Sequence, residues 1–395
     1  MAKNTCIVCR LRANFYCKVA HGGLTMSDRC FFFAGGGTGG HIYPAVAVAE
    51  QIVKIQPTAK IHFFCSTRSI DEQILGQTGF EYTRLPAKGF SIRPGKLISF
   101  CSSFLTSYKI AKEIIAKSKD AVVIGAGGFV SGPVCLAAHK RKVPIGLLNV
   151  DILPGRANKI IARWADEIFV QFEDTAPYFT NKNAKVNVVG CPLRSGFENP
   201  EPNKAIEQLG LDREKKILLI TGASSGSENI NRAVCSLLGK LDTFADNWQI
   251  VHLAGVSNYE KVKSEYGEAK IGHKLLSYFD DMPDLLAAAD LVIGRSGAVS
   301  VAEFAAAGTP SICIPYPYHR DRHQYLNAGM LVEAGAAVIV DDLPNEKETA
   351  EWLWEELKEL MKNQKKRQTM ERSCEAIAKK DAGLKVAEKL IEIKR

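Results

Sequence analysis

The chain is predicted to be α/β, with two Rossmann-like, doubly wound parallel-sheet domains facing each other across a cleft. Three observations carry that reading. At 395 residues, 46% hydrophobic and 24% charged, the chain has a globular composition and exceeds one usual core. Short apolar runs alternate with amphipathic stretches in two successive sets, the βαβ pattern of a parallel sheet, and no solenoid-period repeat or low-complexity segment interrupts it. Glycine-rich turns recur where an apolar run gives way to a helical one, the place where such sheets bind ligands. The first domain is expected over 30–190, a Pro- and Asn-rich hinge over 191–203, and a second domain with C-terminal helices over 204–395.

The net charge of +8 suits an anionic partner: a nucleotide, a diphosphate lipid or a membrane surface. No basic run with interleaved aromatics points to nucleic acid. The eleven cysteines, among them Cys65, Cys135 and Cys313, sit mostly inside apolar segments and read as small buried hydrophobes of a reducing compartment. No run of 18 apolar residues spans a membrane, and residues 1–20 lack the apolar centre of a signal peptide. Residues 1–29 match no element of the plan. They hold Cys6, Cys9, Cys17 and His21, with Cys30 just beyond, but a lone C-x-x-C without a second pair is weak evidence for zinc. This tail is expected to be disordered, with Met26 a candidate start.

In chain order, the first strand, 30–34, empties into Gly35-Gly36-Gly37-Thr38-Gly39-Gly40-His41 and a helix over 43–55 that tolerates Pro44 in its first turn. Gly35, Gly37 and Gly40 satisfy G-x-G-x-x-G. A dinucleotide site wants an acidic residue after the second strand, 61–65, and finds Ser66-Thr67-Arg68, which leaves only a phosphorylated dinucleotide, and so an oxidoreductase, open. His41 is a candidate general base because imidazole titrates near neutral pH, or else a helix-start residue bonded to backbone. A strand over 82–85 and a loop over 88–96 precede a long helix with a core-facing stripe of Leu97, Cys101, Phe104, Tyr108, Ala111 and Ile115. Ile98 and Phe100 lie on its shoulders beside Lys88, Arg93 and Lys96, the composition of a monotopic membrane contact formed by Arg93, Lys96, Leu97, Ile98 and Phe100. Three cations near an anionic leaflet contribute on the order of 3 kcal/mol, enough for reversible docking.

A strand over 120–125 feeds a second glycine loop, Gly125 to Pro133, whose Gly127 and Gly128 let backbone approach a phosphate closely. With the first loop it suggests a pocket for a lipid diphosphate. After the strand at 145–148, Asp151 is either a carboxylate facing the cleft or a turn residue before Pro154-Gly155. Strands at 168–171 and 186–189 complete the first domain.

The second domain opens with a strand over 216–221 and the loop 222–227, where Ser224 and a helix start are candidate phosphate ligands. A strand over 249–254 and the Tyr278-Phe279-Asp280-Asp281 turn follow. The stretch 294–327 then organises the domain: strand 291–293, turn Arg295-Ser296-Gly297, helix 298–307 ended by Gly308, and strand 311–314. Such a helix aims its free N–H groups at the turn, and a diphosphate there gains roughly 0.3–1 kcal/mol, up to about 2 when partly buried. Glu303 lies where a carboxylate grips a ribose diol, and Asp321, His323, Gln324 and Asn327 open another helix.

Several of these runs resemble, in order and spacing, the motifs of the MurG family, the lipid-linked N-acetylglucosaminyltransferases of bacterial peptidoglycan synthesis (glycosyltransferase family 28). They are GGGTGGHIYP at 35–44, GG-aromatic-VSGP at 127–133, RSGA at 295–298, the Glu of SVAEFAAAG at 300–308 and DR-x-Q-Y-x-N at 321–327. The resemblance covers roughly 30–390. It implies the GT-B arrangement and inverting transfer of N-acetylglucosamine from its UDP donor to the muramyl 4-hydroxyl of lipid I, undecaprenyl-pyrophosphoryl-MurNAc-pentapeptide, at the cytoplasmic face of the bacterial inner membrane. It places Thr38, Gly39, Arg194, Ser224, the Phe279 backbone, Ala298, Glu303, Gln324 and Asn327 at the donor, and Gly37, Gly127, Gly128 and Phe129 at the acceptor diphosphate. The base is His41, with Asp151 as rival. No cofactor or metal is implied, and no D-x-D motif stands in the expected place, Asp280-Asp281 and Asp341-Asp342 being adjacent pairs.

The chain also departs from the family. Phe129 replaces a usual Tyr, Asn149 and Asp151 stand where Glu and Asn are common, Ala223 and Ser225 interrupt a GGSQGA-like loop, and His323 replaces an amide. These departures leave open a diacylglycerol-type glycosyltransferase, a GT-B hexosamine epimerase, or a non-catalytic nucleotide-sugar binder.

Overall fold

The computed structural model describes residues 29–90, 93–180, 184–223 and 226–394. The tail with its Cys6, Cys9, Cys17 and His21, part of the 88–96 loop, and Ser224 and Ser225 lie outside the described residues. The first sheet has seven strands: β1 (Cys30–Ala34), β2 (Lys60–Cys65), β3 (Glu81–Arg84), β4 (Ala121–Gly125), β5 (Ile145–Asn149), β6 (Glu167–Val170) and β7 (Lys185–Val188), in the order β3-β2-β1-β4-β5-β6-β7. The second has six, β8 (Lys216–Thr221), β9 (Trp248–Leu253), β10 (Gly272–Leu276), β11 (Leu291–Gly294), β12 (Ser311–Cys313) and β13 (Ala337–Ile339), in the order β10-β9-β8-β11-β12-β13. Each strand pair is parallel in both sheets. Helices cover both faces of such sheets, which is why β4 (AVVIG) and β9 (WQIVHL) are buried at each position.

The strand order reverses between β1 and β4 in the first lobe and between β8 and β11 in the second. Crevices open there at the carboxyl ends of the strands. The helices that flank them are α1 (Gly39–Ile55), α2 (Ser69–Thr78), α3 (Pro94–Ile115), α4 (Gly128–Lys140), α5 (Glu228–Cys235), α6 (Ala298–Ala307) and α7 (His323–Glu333). A last helix, α8 (Ala382–Glu392), crosses back and buries Val386, Ala387 and Leu390 in the first lobe's core, where Gly146 leaves no room for a side chain beneath Leu390. Ala298 of α6 joins that core, while Ile152 and Phe172 join the second lobe's, so apolar packing is continuous across the hinge side of the cleft.

Three expectations need correction. β10 (GHKLL) and the three-residue β13, the two edges of the second sheet, are strands beyond those expected: β10 has apolar residues only at its end, and β13 forms within the short apolar run 336–340. Helix α1 starts at Gly39 rather than 43. The stripe on α3 holds from Phe104 through Tyr108 and Ala111 to Ile115 but not in its first turns: Leu97 and Cys101 are exposed, Phe100 is half-buried, and Ser103 and Ser107 face the interior. Ser107 Oγ donates to the Ser103 carbonyl at 2.7 Å, and Ser103 Oγ to the Phe100 carbonyl at 3.0 Å, so the hydroxyls satisfy themselves on the helix's own backbone and become buriable.

Candidate active site

At the first crevice the glycine loop is tied down by its own chain. The Gly37 N–H donates to both Asp71 oxygens at 3.0 Å, and Asp71 Oδ2 also accepts from Ser66 N (2.8 Å) and Ser66 Oγ (2.6 Å). These donors satisfy a fully buried carboxylate. Arg68 Nη1 donates to the Gly37 carbonyl at 2.6 Å, and its guanidinium lies 5.7 Å from the Phe129 ring centroid. In the second loop the Gly127 N–H donates to Ser131 Oγ at 3.1 Å.

His41 sits between these loops. Its Nδ1 lies 3.3 Å from both Thr38 Oγ1 and the Gly36 carbonyl. A Cβ on Gly127, whose φ is +102, would come within 2.8 Å of His41 Cδ2, so only glycine admits the imidazole there. Burial lowers the His41 pKa while the nearby Asp151 charge opposes the shift; the ring is therefore neutral at pH 7 and able to accept a proton.

Asp151 stands at the cleft after β5. Its Oδ1 accepts from Asn327 Nδ2 at 3.2 Å, and its carbonyl accepts from the buried Asn149 Nδ2 at 2.7 Å, so the departure at Asn149 supplies a brace for this turn. Asn327, expected at the donor sugar, is bonded within the chain. It is fully buried, its Oδ1 accepts from Ile152 N at 3.1 Å, and its Nδ2 also reaches the Ser296 carbonyl at 3.4 Å. Both ends of the amide are committed to holding the two lobes together.

In the second crevice α6 begins after Gly297 with no side-chain cap and no acidic residue in its first turn. Ser296 is fully buried beside that start, and its Oγ has no partner. By contrast, Ser227 caps α5, accepting from Ile230 N at 3.4 Å. The two turns are joined by a residue whose role sequence reasoning missed. Arg295 Nη2 donates to Ser227 Oγ and to Asp342 Oδ2, each at 2.8 Å, and its Nη1 donates to the carbonyls of Ile314 (3.0 Å) and Pro315 (3.2 Å). In the sequence Asp342 reads only as half of an adjacent acidic pair, and a spacing of 47 residues gives no local signal of the ion pair.

Glu303, half-buried on α6, pairs with Arg194 at 3.7 Å. Burial raises its pKa and the guanidinium pulls it back. Arg194 also donates to the Asp280 carbonyl at 3.1 Å and lies 4.7 Å from the Tyr43 ring centroid, while the Tyr43 and Tyr278 hydroxyls meet at 3.2 Å across the cleft. The Phe279 side chain is buried. Gln324 Oε1 accepts from Tyr316 N at 3.0 Å, and His323 Nδ1 lies 2.7 Å from Asp321 Oδ1 with its ring stacked on His319. Thus His41, Asp151 and Asn327 form one hydrogen-bonded or charge-coupled set, and Arg194, Glu303 and Tyr43 another, each drawing residues from both lobes.

The membrane-facing candidates gather on α3. Ile98 is 73% exposed and Phe90 58%, with Leu97 and Leu105 also exposed and Arg93 and Lys96 at the surface. Phe100 meets Phe90 edge-on at 5.4 Å. Among the described residues no helix is long and apolar enough to cross a membrane.

Residues 31–170 match the glycosyltransferase family 28 N-terminal domain, and 217–386 match its C-terminal domain. A UDP-N-acetylglucosamine--N-acetylmuramyl-(pentapeptide) pyrophosphoryl-undecaprenol N-acetylglucosamine transferase of Thermoanaerobacter sp. (strain X514) is 34% identical over 90% of this chain and 97% of its own length. The enzyme of that name from Caldicellulosiruptor saccharolyticus is 38% identical over 78% and 83%. The crystal structure of Acinetobacter baumannii MurG aligns at a TM-score of 0.69 and 24% identity, covering 93% of this chain and 100% of that one, and it shares the GT-B fold. The chain belongs to glycosyltransferase family 28, in its MurG branch.

Proposed function

We propose that the chain moves N-acetylglucosamine from UDP-N-acetylglucosamine to the 4-hydroxyl of the muramyl sugar in undecaprenyl-pyrophosphoryl-MurNAc-pentapeptide, with inversion, yielding lipid II for peptidoglycan synthesis. The observation that carries this reading is identity of 34% across 97% of a relative bearing that name. The reaction needs a base at the acceptor hydroxyl and a sink for the departing diphosphate.

His41 takes the hydroxyl proton, neutral through burial and fixed between two glycine loops. Asp151 tunes it or replaces it. The uncapped start of α6 at Ala298, the unpartnered Ser296 Oγ and Arg194 meet the diphosphate leaving group, with Thr38 and Gly39 beside it. Glu303 exchanges its contact with Arg194 for the ribose diol, the Phe279 backbone meets uracil, and Gln324 reaches the sugar. Asn327 acts by bracing the 151 turn. The exposed apolar face of α3 with Arg93 and Lys96 docks reversibly on the cytoplasmic face of the plasma membrane.

Incubation with radiolabelled UDP-N-acetylglucosamine and lipid I is expected to give labelled lipid II. Release of a free epimerised sugar nucleotide, or label on diacylglycerol alone, would overturn the reading.

A further inference from the structure

The glycine loops alone do not meet the charge of an acceptor diphosphate. The Gly37 N–H is bonded to Asp71 and the Gly127 N–H to Ser131, so two of the backbone donors expected to hold phosphate are occupied within the chain. Beside them lies a cavity of about 430 Å³, lined by Ser66, Thr67, Arg68, Lys88 and Phe129 among others. That volume is in the roughly 300–1,000 Å³ range of small-ligand sites. Its two cations lack carboxylate partners among the described residues. Arg68 donates to the Gly37 carbonyl, and Lys88 Nζ only to Ser99 Oγ at 2.9 Å. The nearby acids are spoken for: Asp71 by its hydrogen-bond donors, and Glu72 by Arg84 at 3.0 Å.

The cavity also lies between the loop that holds His41 and the exposed face of α3. On one side Arg68 and Phe129 form a wall shared with the loop that holds His41. On the other, Gly89 lines the cavity and is followed by the exposed Phe90, while Ser99, the partner of Lys88, neighbours the exposed Ile98.

We infer that Arg68 and Lys88, with the Ser66 and Thr67 hydroxyls, bind the diphosphate of the lipid-linked acceptor in this cavity, its tail leaving over the α3 face and its sugar reaching His41. The inference rests on the proposed transferase reading and assigns the charged ligands of its acceptor. Guanidinium and ammonium groups suit this task because charge-assisted hydrogen bonds to phosphate are about twice as strong as neutral ones.

The test uses the full chain with UDP-N-acetylglucosamine and a short-prenyl, water-soluble acceptor that keeps the diphosphate, so that membrane attraction plays no part. Lys88→Ala is expected to raise the acceptor KM about tenfold or more, with the donor KM held within about twofold and Lys88→Arg restoring most of the loss. Arg68→Ala is expected to act likewise, and because Arg68 also braces Gly37, Lys88 is the cleaner probe. Inorganic pyrophosphate should compete with the acceptor, and do so about tenfold more weakly in Lys88→Ala. An unchanged acceptor KM in both alanine variants, pyrophosphate competing only with the donor, or a Lys88 effect seen with vesicles and not with the soluble acceptor would each overturn the assignment. A wild-type chain that transfers nothing would sink the transferase reading instead, and calorimetric binding of pyrophosphate to wild type and Lys88→Ala would still judge the cavity.

Discussion

The two crevices share a topology and differ in what holds them open. Each lies where the strand order reverses, between β1 and β4 or between β8 and β11, and each is bordered by two glycine-containing turns. In the first lobe the turns are stapled by Asp71 and Ser131, which consume backbone N–H groups, and the side chains of His41 and Arg68 lie against the same turns, with Lys88 across the cavity from Arg68. In the second, a buried ion pair of Arg295 with Asp342 fixes the turns from behind, and the start of α6 keeps its N–H groups uncapped. Since α1 and α4 also begin without a side-chain cap, the difference is that the first switch point sets titratable and cationic side chains beside its helix starts, and the second an unpartnered serine hydroxyl beside the start of α6. That difference fits a division of labour in which proton transfer and the acceptor belong to the first lobe and the nucleotide to the second.

The sharpest break of the comparison is at His41. His41→Ala is expected to lower kcat by about 10²–10⁴ while UDP affinity, measured by calorimetry, stays near wild type. Because burial depresses the imidazole, the acid limb of kcat/KM should fall below the ordinary histidine value of about 6.5. The Asp151 charge favours the protonated ring, so Asp151→Asn should shift that limb to still lower pH. A pH profile in which Asp151→Asn abolishes the limb would make Asp151 the base.

The second lobe should break through stability instead. Arg295→Met leaves the buried Asp342 without its cation, and is expected to cost about 3–5 kcal/mol in urea unfolding. The double replacement Arg295→Met with Asp342→Leu should recover most of that loss, since paired removal of a buried ion pair is often near neutral. Equal destabilisation by the double variant would show that the hydrogen bonds to Ser227 and to the Ile314 and Pro315 carbonyls, rather than the charge, hold the turn.

What sequence could read follows the same divide between local and distant signals. Strands Cys30–Ala34 and Lys216–Thr221 and the helix Ala298–Ala307, closed by Gly308 at φ +74, were legible because an apolar run or a terminal glycine states them locally. The burial of Ser103 and Ser107 on α3 was not, because both hide their polarity on their own helix. Nor was the bracing role of Asn327, whose partners Asp151 and Ile152 lie 176 and 175 residues away. Motif spacing named Gly37 and Gly127 as phosphate neighbours, but only the hydrogen bonds to Asp71 and Ser131 reveal that their N–H groups are spent.

A smaller effect separates donor from acceptor directly. Glu303→Ala removes a carboxylate that now pairs with Arg194, and is expected to weaken UDP binding about ten- to a hundredfold by calorimetry, the worth of one or two charged hydrogen bonds. The acceptor KM should stay near wild type. A variant that binds UDP as tightly as wild type would remove Glu303 from the ribose.

The smallest expected effect lies in the 222–227 loop, where Ala223 adopts φ +62. A Cβ in the left-handed region costs roughly 1–2 kcal/mol, and glycine avoids that strain while giving back about 0.5–1 kcal/mol through its freer unfolded chain. Ala223→Gly should therefore stabilise the fold by about 0.5–1 kcal/mol, read as a higher urea midpoint at unchanged m. The first lobe offers no such gain at its ligand loops, since the left-handed positions there, Gly37, Gly127 and Gly128, are already glycine. A lower midpoint for Ala223→Gly would mean that the methyl group's packing outweighs its strain, and that the second crevice, like the first, is held by contacts specific to each turn residue.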